Sequence, residues 1–405
     1  MPPQGSRAFA YPDYRRMLIA RIAAMVAWQI LGVAVAWHLV ERTGRALDLG
    51  LAGLAQFIPA FGLALFAGHT ADRYDRRTIL RVTYLAYALL ALVLYAYARS
   101  GRREIWPIYG VLLLIGTTRA FNQPAGSALA PELVPPEAFT NAVAWNSSFW
   151  QLSSIAGPAV GGFATAWLHE RVYLVSSVLC VFAFVMTSFI ETKPTLMRDG
   201  RVTVETVLAG VRYIWSRKLV LGSISLDLFA VLLGGAVALL PLYAKDFEGG
   251  ARAFGLLRAA PGIGAAITAA VIAYWPLRRH AGALMFACVF IFGLATMGFA
   301  KTRDIEVAVV LLFVAGAADM VSVVIRQTLL QRATPPEMRG RVSAVNSVFV
   351  GASNELGEFE SGVTAEWLGY RLATLVGGIG TCAVVVIWMA LFPELRKVDD
   401  LDAQR

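Results

Sequence analysis

About twelve apolar stretches, each close to the 20 residues needed to cross a hydrocarbon core, dominate this chain. They fall near residues 17–41, 49–69, 79–98, 105–127, 141–167, 172–191, 218–243, 253–275, 281–300, 306–330, 341–367 and 370–392. Each is continuously apolar rather than alternating, which argues for helices and against the strands of a β-barrel. Of the 405 residues, 58% are hydrophobic and only 16% are charged, against about 25% charged in ordinary soluble chains. The sequence therefore reads as an all-α integral membrane protein. No cleavable leader is expected, because Pro2, Pro3, Arg7, Pro12 and Asp13 crowd the opening segment and leave it without an apolar core.

The chain also repeats itself. PPEAFTNAVAWNSSF at 135–149 aligns with PPEMRGRVSAVNSVF at 335–349, an offset of 200. Seven of those fifteen positions are identical, and the match continues at Ser153/Ser353, Gly157/Gly357, Gly162/Gly362, Trp167/Trp367 and Arg171/Arg371. Upstream, GLAQFIPAFGLA at 53–64 resembles GLLRAAPGIGAA at 255–266. Two six-helix halves in parallel order are the simplest account, and such transporters hold their site near the bilayer midplane. The expected organisation is an N-terminal bundle at 1–190, a cytoplasmic linker at 191–217, a C-terminal bundle at 218–395 and a tail at 396–405. Within the linker, Val204, Val207, Leu208, Val211 and Ile214 recur at helical spacing, which predicts an amphipathic helix on the cytoplasmic surface. It reads as a connector or as a regulatory element.

A net charge of +9 invites nucleic acid, but its placement reads as topology. Lys and Arg concentrate in alternate loops, including Arg73, Arg76, Arg77, Arg212, Arg217, Lys218, Arg396 and Lys397. The intervening loops hold fewer, such as Arg42, Arg45 and Arg371. That asymmetry follows the positive-inside rule and places both termini in the cytoplasm. Cys180, Cys288 and Cys382 fall in separate spans and suggest buried hydrophobes, neither a disulfide framework nor a metal site. With no paired metal-ligand spacing, no GxSxG and no Walker sequence, no enzyme and no direct use of ATP is expected. No cofactor is expected beyond protons as coupling ion.

Between the second and third stretches the chain reads GHTADRYDRR. Gly68 is expected to allow close helix packing, Asp72 to cap a helix or accept from arginine, and Arg73, Arg76 and Arg77 to hold the turn on the inner face. This segment resembles the G-x-x-x-D-R-x-G-R-R signature of the major facilitator superfamily, with Asp75 where the second glycine is usual. The resemblance implies a fold of twelve transmembrane helices in two pseudo-symmetric six-helix bundles. It also implies a gate latched by an Asp–Arg network and the N-terminal dipole of the eleventh span; a positive-inside loop with no latch is the other account. The counterpart loop, Pro276, Leu277, Arg278 and Arg279, has lost the pattern.

Gly157, Pro158, Gly161 and Gly162 form GPAVGG. Glycines so spaced let helices approach in lipid, and Pro158 frees a carbonyl and bends the helix. The motif resembles the G-P-x-x-G-G core associated with antiporters of the superfamily, which points to export in exchange for protons; helix packing alone also accounts for it.

Charges inside the apolar stretches bear most on function. Arg119, Asp227 and Asp319 lie in the fourth, seventh and tenth stretches, and each costs at least about 2.5 kcal/mol near a bilayer centre. Arg119 and Asp319 are repeat equivalents. By resemblance these spans line the central cavity, and Arg119 fits a proton-coupling arginine. A static ion pair is the other account. The eleventh stretch carries Glu355, Glu358 and Glu360. The first two share a helix face, and three carboxylates cannot all stay ionised in a dry site, so one is expected to carry a proton. A solvated vestibule wall is the alternative. Gln29, Asn146, Asn346 and Asn354 are expected to line a substrate cavity. Arg21 is expected to snorkel to the interface.

SLDLFAVLLGGA at 225–236, GLLRAAP at 255–261 and RGRVSAVNSVFVGASNELGEFESG at 339–362 resemble the enterobactin-exporter-like and macrolide-efflux-like branch of the superfamily. The resemblance implies a monomeric, proton-coupled exporter of an amphipathic small molecule, such as a siderophore or drug, in a bacterial cytoplasmic membrane. Two alternatives stand beside it: a flippase or facilitator of lipid-like molecules, and a transporter-shaped sensor or scaffold that moves nothing.

Overall fold

The computed structural model describes residues 8–191, 204–247, 249–275, 277 and 280–399. Residues 192–203 of the expected linker, Pro276, Arg278 and Arg279 of the degenerate loop, and residues 400–405 of the tail lie outside the described residues. Among the described residues every regular element is helical. That is the economical solution for a chain in lipid, where each backbone N–H and C=O must find its partner within its own helix.

Two compact units emerge, Met1–Arg42 with Leu54–Arg201 and Thr43–Gly53 with Val202–Arg405. The first unit contains α1 (Pro12–Thr43), most of α2 (Ala46–Gly62), α3 (Ala64–Arg73), α4 (Arg76–Arg99), α5 (Trp106–Glu132), α6 (Pro136–Leu168) and α7 (Val172–Ser188). Its centre is α4, which packs on α5 and α7. The second unit contains the opening turns of α2 together with α8 (Val204–Ser216), α9 (Lys218–Leu233), α10 (Leu240–Asp246), α11 (Gly250–Tyr274), α12 (Ala281–Lys301), α13 (Ile305–Ala333), α14 (Pro336–Leu368), α15 (Tyr370–Leu391) and the short α16 (Pro393–Arg396). There α13 packs on α11 and α12, and α12 on α15, around Leu226, Met285, Phe286, Ile325, Leu329 and Val385.

All the apolar stretches fall on helices, but not all stay whole. Among the described residues, eight helical segments are long and apolar enough to cross a membrane, or nine if Ala46–Gly62 and Phe66–Arg73 count as one broken span. The stretch at 49–69 breaks around Leu63. That at 218–243 breaks at Gly234 and Gly235, followed by a 3-10 turn at Ala236–Leu239. The second break has a steric origin. A Cβ on Gly235 would lie 2.6 Å from Ser361 Oγ and 2.9 Å from the Gly357 carbonyl, so only glycine lets the end of α9 abut α14. Neither α5 nor α14 is apolar enough to qualify on its own. These are the helices that carry Arg119 and the three glutamates.

The internal repeat reappears as repeated contacts. A Cβ on Gly116 of α5 would sit 2.2 Å from the Gln56 carbonyl and 2.8 Å from the Pro59 ring. One on Gly316 of α13 would sit 2.0 Å from the carbonyl of Pro261. Each half thus presses a glycine against a proline inside a neighbouring helix, at equivalent positions. Small residues at such crossings are how helices gain dispersion contact where lipid offers no hydrophobic drive.

The predicted linker helix forms as α8, and its apolar face meets protein. Ile214 is buried with Val342 and Val345 of α14 and Leu330 of α13. The Tyr213 hydroxyl donates to the Ala333 carbonyl at 2.6 Å. The adjoining Trp215 stays 72% exposed. The side chains of Val204, Val207 and Leu208 lie outside the described ones.

Candidate functional site

In the first unit Arg119 points into an aromatic setting. Its guanidinium lies over the Trp28 ring of α1, 4.9 Å from the centroid, and Tyr87 of α4 is within its electrostatic reach. Such a stack is worth about 0.5–2 kcal/mol. Nearby, Asn122 donates to the Thr83 hydroxyl at 2.8 Å, tying α5 to α4. Arg21 departs from expectation. Instead of reaching outward to an interface, it donates to the Gly126 carbonyl of α5 at 2.8 Å, beside Tyr14 and Tyr84. A half-buried guanidinium does better on a fixed carbonyl than on lipid.

GPAVGG serves close packing. A Cβ on Gly157 would lie 2.6 Å from the Gln29 side chain, and one on Gly161 would lie 3.1 Å from the Ile30 backbone. Gln29 is therefore pressed between α1 and the glycine face of α6. Pro158 and Gly162 are buried on the same helix, and Asn146 is half-buried. The equivalent of Gly157, Gly357, meets Val231 and Leu232 of α9 in the second unit. The same contact is thus built twice.

The turn between α3 and α4 is held by cations. Arg76 pairs with Glu132 of α5, donates to the Ala71 carbonyl at 3.1 Å, and lies 3.8 Å from Asp72. Asp72 and Arg73 are largely exposed. Gly68 does not act as expected: among the described residues nothing lies within 4 Å of the Cβ it lacks. Its neighbourhood is open, so close packing is not what this glycine supplies. Asp75, which replaces a glycine, caps α4 by accepting from the Arg77 amide at 2.9 Å and pairs with the Arg77 guanidinium at 2.9 Å. Partial burial works against its charge. The Arg77 hydrogen bonds and the Arg77 and Arg81 charges outweigh it, holding the Asp75 carboxyl below the usual carboxylate range. Arg16, Arg77 and Arg81 all donate to carbonyls at 187–191, the C-terminal end of α7. Cations belong at that negative dipole end.

The second unit, by contrast, places carboxylates on its interior helices. Asp227 of α9 pairs with Arg326 of α13 at 2.5 Å, and the side chains are 8% and 6% exposed. Asp319, on α13 seven residues before Arg326, feels both Asp227 and Arg326 electrostatically. Glu355 and Glu358 share a face of α14, as their spacing predicts. Their Oε2 atoms lie 3.6 and 3.3 Å from where a Cβ of Gly53 would be, and Glu358 acts on Arg258 of α11. Glu360 turns elsewhere and accepts from the Thr364 hydroxyl at 2.7 Å. Asn346 is buried, with an Oδ1 that finds no hydrogen-bond donor among the described residues. Asn354 is exposed.

Two residues central to this arrangement were not singled out by sequence. Arg326 lies within the apolar stretch 306–330, and the need of buried Asp227 for a counter-charge was the available signal. Arg258 aligns with Gln56 in the upstream repeat, so the duplication itself marked it as a charge gained by one half.

The chain matches, over residues 7–405, the family model described as transmembrane secretion effector. It is 24% identical over 394 residues to macrolide efflux protein A of Streptococcus pyogenes, covering 93% of this chain and 95% of that protein. To the enterobactin exporter EntS of Escherichia coli it is 25% identical over 404 residues, covering 96% and 93%. Among solved structures, the nucleoside transporter NupG superposes with a TM-score of 0.75 at 12% identity, covering 94% of this chain and all 100% of that one. The peptide transporter POT gives 0.70 at 10% identity, covering 99% and 100%. Identities this low establish a shared fold and nothing finer.

Proposed function

Because the chain belongs to the transmembrane secretion effector family, within the major facilitator superfamily of multi-pass membrane transporters, we propose that it exports an amphipathic small molecule in exchange for protons. A siderophore or a drug is the cargo class. The membrane is the cytoplasmic membrane of a bacterium, with both termini inside and the protein acting as a monomer. The observation that carries this reading is the acid-rich cluster inside the apolar helices α9 and α13 of the second unit, Asp227–Arg326–Asp319. It holds two carboxyl groups against one arginine. A fully ionised cluster would carry an unmatched negative charge in a poorly solvated site, where such a charge is costly. A bound proton removes that charge.

The roles follow. Asp227, Asp319, Glu355 and Glu358 hold or influence the proton, and Arg119 on its Trp28 platform supplies a fixed cation in the first unit. Gln29, Asn146, Asn346 and Asn354 offer hydrogen bonds to the polar part of an amphipathic cargo. Gly68, Asp72, Arg73, Arg76 and Arg77 serve the gate, and Gly157, Pro158, Gly161 and Gly162 keep α1 and α6 close as the protein alternates between states. The names of the two efflux relatives support an outward direction and a small-molecule cargo.

Reconstituted protein in liposomes with an imposed pH gradient tests the proposal, using a panel of amphipathic dyes that includes ethidium. Dye moves against its gradient while the proton gradient stands and stops when an ionophore collapses it. Dye movement indifferent to the ionophore rejects proton coupling. The second reading, movement of a lipid-like molecule without proton exchange, draws on a cavity of about 400 Å³ in the first unit, lined by Tyr74, Ile79, Val82, Ala86, Thr117 and Phe121.

A further inference from the structure

We infer that Arg326 is a positioning residue whose free edge shuttles to and from Asp319, so that the protonation state of Asp319 decides whether Arg326 holds Asp227 alone or bridges both carboxylates. This inference rests on the proton-coupled reading above and specifies how one cluster responds to the proton. Four observations carry it. First, the Asp227–Arg326 pair is buried, yet Arg326 Nε, itself buried, has no hydrogen-bond partner among the described residues. A guanidinium has five donors in a fixed fork, and an orphaned one at this depth is a cost that a second acceptor would relieve. Second, Asp319 stands on the same helix, about 10 Å along the axis at two turns' distance. Third, helix side chains lean toward the N-terminus, so the long Arg326 side chain inclines toward Asp319 and not away from it. Fourth, Asp227, Asp319 and Arg326 interact with one another electrostatically. Of the helices packed on α13, α9, α11 and α12 bring no other charge to bear on either carboxyl among the described residues.

Protonated Asp319 leaves one cation facing one anion, and Arg326 stays with Asp227 as observed. When Asp319 releases its proton to water, the cluster holds two anions and one cation, and the free edge of the guanidinium swings to bridge them. The change draws α9 and the outer turns of α13 into a different mutual grip, with no bond made or broken beyond the O–H of Asp319.

The test is infrared pH titration of the carboxyl C=O band, using the full-length protein in liposomes without added cargo. A band lost in Asp319→Asn identifies the group. Asp227→Asn removes an anion from beside Asp319 and releases Arg326 to it, so the band's midpoint falls by about one pH unit or more. In Asp227→Asn/Arg326→Gln, which removes the pair's two opposite charges together, that fall is absent. Equal midpoints in wild type and Asp227→Asn, with folding verified by elution of a monodisperse peak, overturn the shuttle and leave proton coupling standing. The absence of any titrating band lost in Asp319→Asn overturns it as well. Failure of the underlying reading is seen separately, as wild-type dye efflux that ignores the pH gradient.

Discussion

The two units are built on one plan but answer their intramembrane cations differently. Equivalent glycines make equivalent contacts: Gly116 and Gly316 against a proline of the adjoining helix, Gly157 and Gly357 against α1 and α9. Yet the first unit answers its intramembrane cation, Arg119, with the ring of Trp28. The second answers its own, Arg326 and Arg258, with carboxylates. A duplicated scaffold thus keeps what packing demands at the backbone, where a Cβ would collide, and frees the side chains lining its interior to diverge. An aromatic platform stacks on a cation, whereas a carboxylate also neutralises it.

The contrast can be broken most severely at the buried ion pair. Arg326→Ala strands Asp227 in a dry site and should cost about 3–5 kcal/mol, read as a large drop in thermal stability in detergent. Asp227→Asn/Arg326→Gln should recover most of that loss. Next in size is the shared scaffold. Gly116→Ala and Gly316→Ala should each cost about 1–3 kcal/mol through overpacking, and similar losses from the two would confirm that the plan is common. Smaller again is the aromatic platform: Trp28→Ala should remove about 0.5–2 kcal/mol of cation–π stabilisation, with Trp28→Phe keeping part of it, measured by thermal unfolding alongside dye efflux. Arg119→Ala should lower efflux without removing the carboxyl titration of the second unit.

The mildest test lies in the turn after α3. Asp75→Gly restores the residue usual in the superfamily signature, removes the Arg77 pair and costs a few tenths of a kcal/mol as a cap, whereas Asp75→Ala costs about 1 kcal/mol. Because the folded Asp75 carboxyl sits below its ordinary value, its contribution is complete above about pH 4. It disappears as pH falls through the lowered value. The stability gap between wild type and Asp75→Ala should therefore close in acid and stay constant at neutral pH.

Much of this architecture was legible in the chain. Apolar runs near 20 residues dictate helices wherever lipid denies the backbone other partners, and the 200-residue offset foretold paired glycine contacts. The shared face of Glu355 and Glu358 followed from helical spacing. What escaped depends on how helices are rotated against each other. Whether Arg326 meets Asp227, or Arg21 meets the Gly126 carbonyl, is decided by contacts across 99 and 105 residues of sequence. Local pattern does not encode them. Gly68 misled because a glycine in a motif signals either close approach or open space, and only the neighbours distinguish these. The break at Gly234 and Gly235 hid inside a stretch whose hydropathy is uninterrupted, since it arises from the approach of Gly357 on another helix.

The central claim is that a carboxyl group of the second unit links cargo to protons. Dye exchange and dye accumulation measured side by side in liposomes, comparing wild type with Asp319→Asn, address it most directly. The account predicts that Asp319→Asn still exchanges dye across the membrane at equal concentrations but no longer accumulates it under a pH gradient. Accumulation by Asp319→Asn at the wild-type rate and to the wild-type level would contradict it.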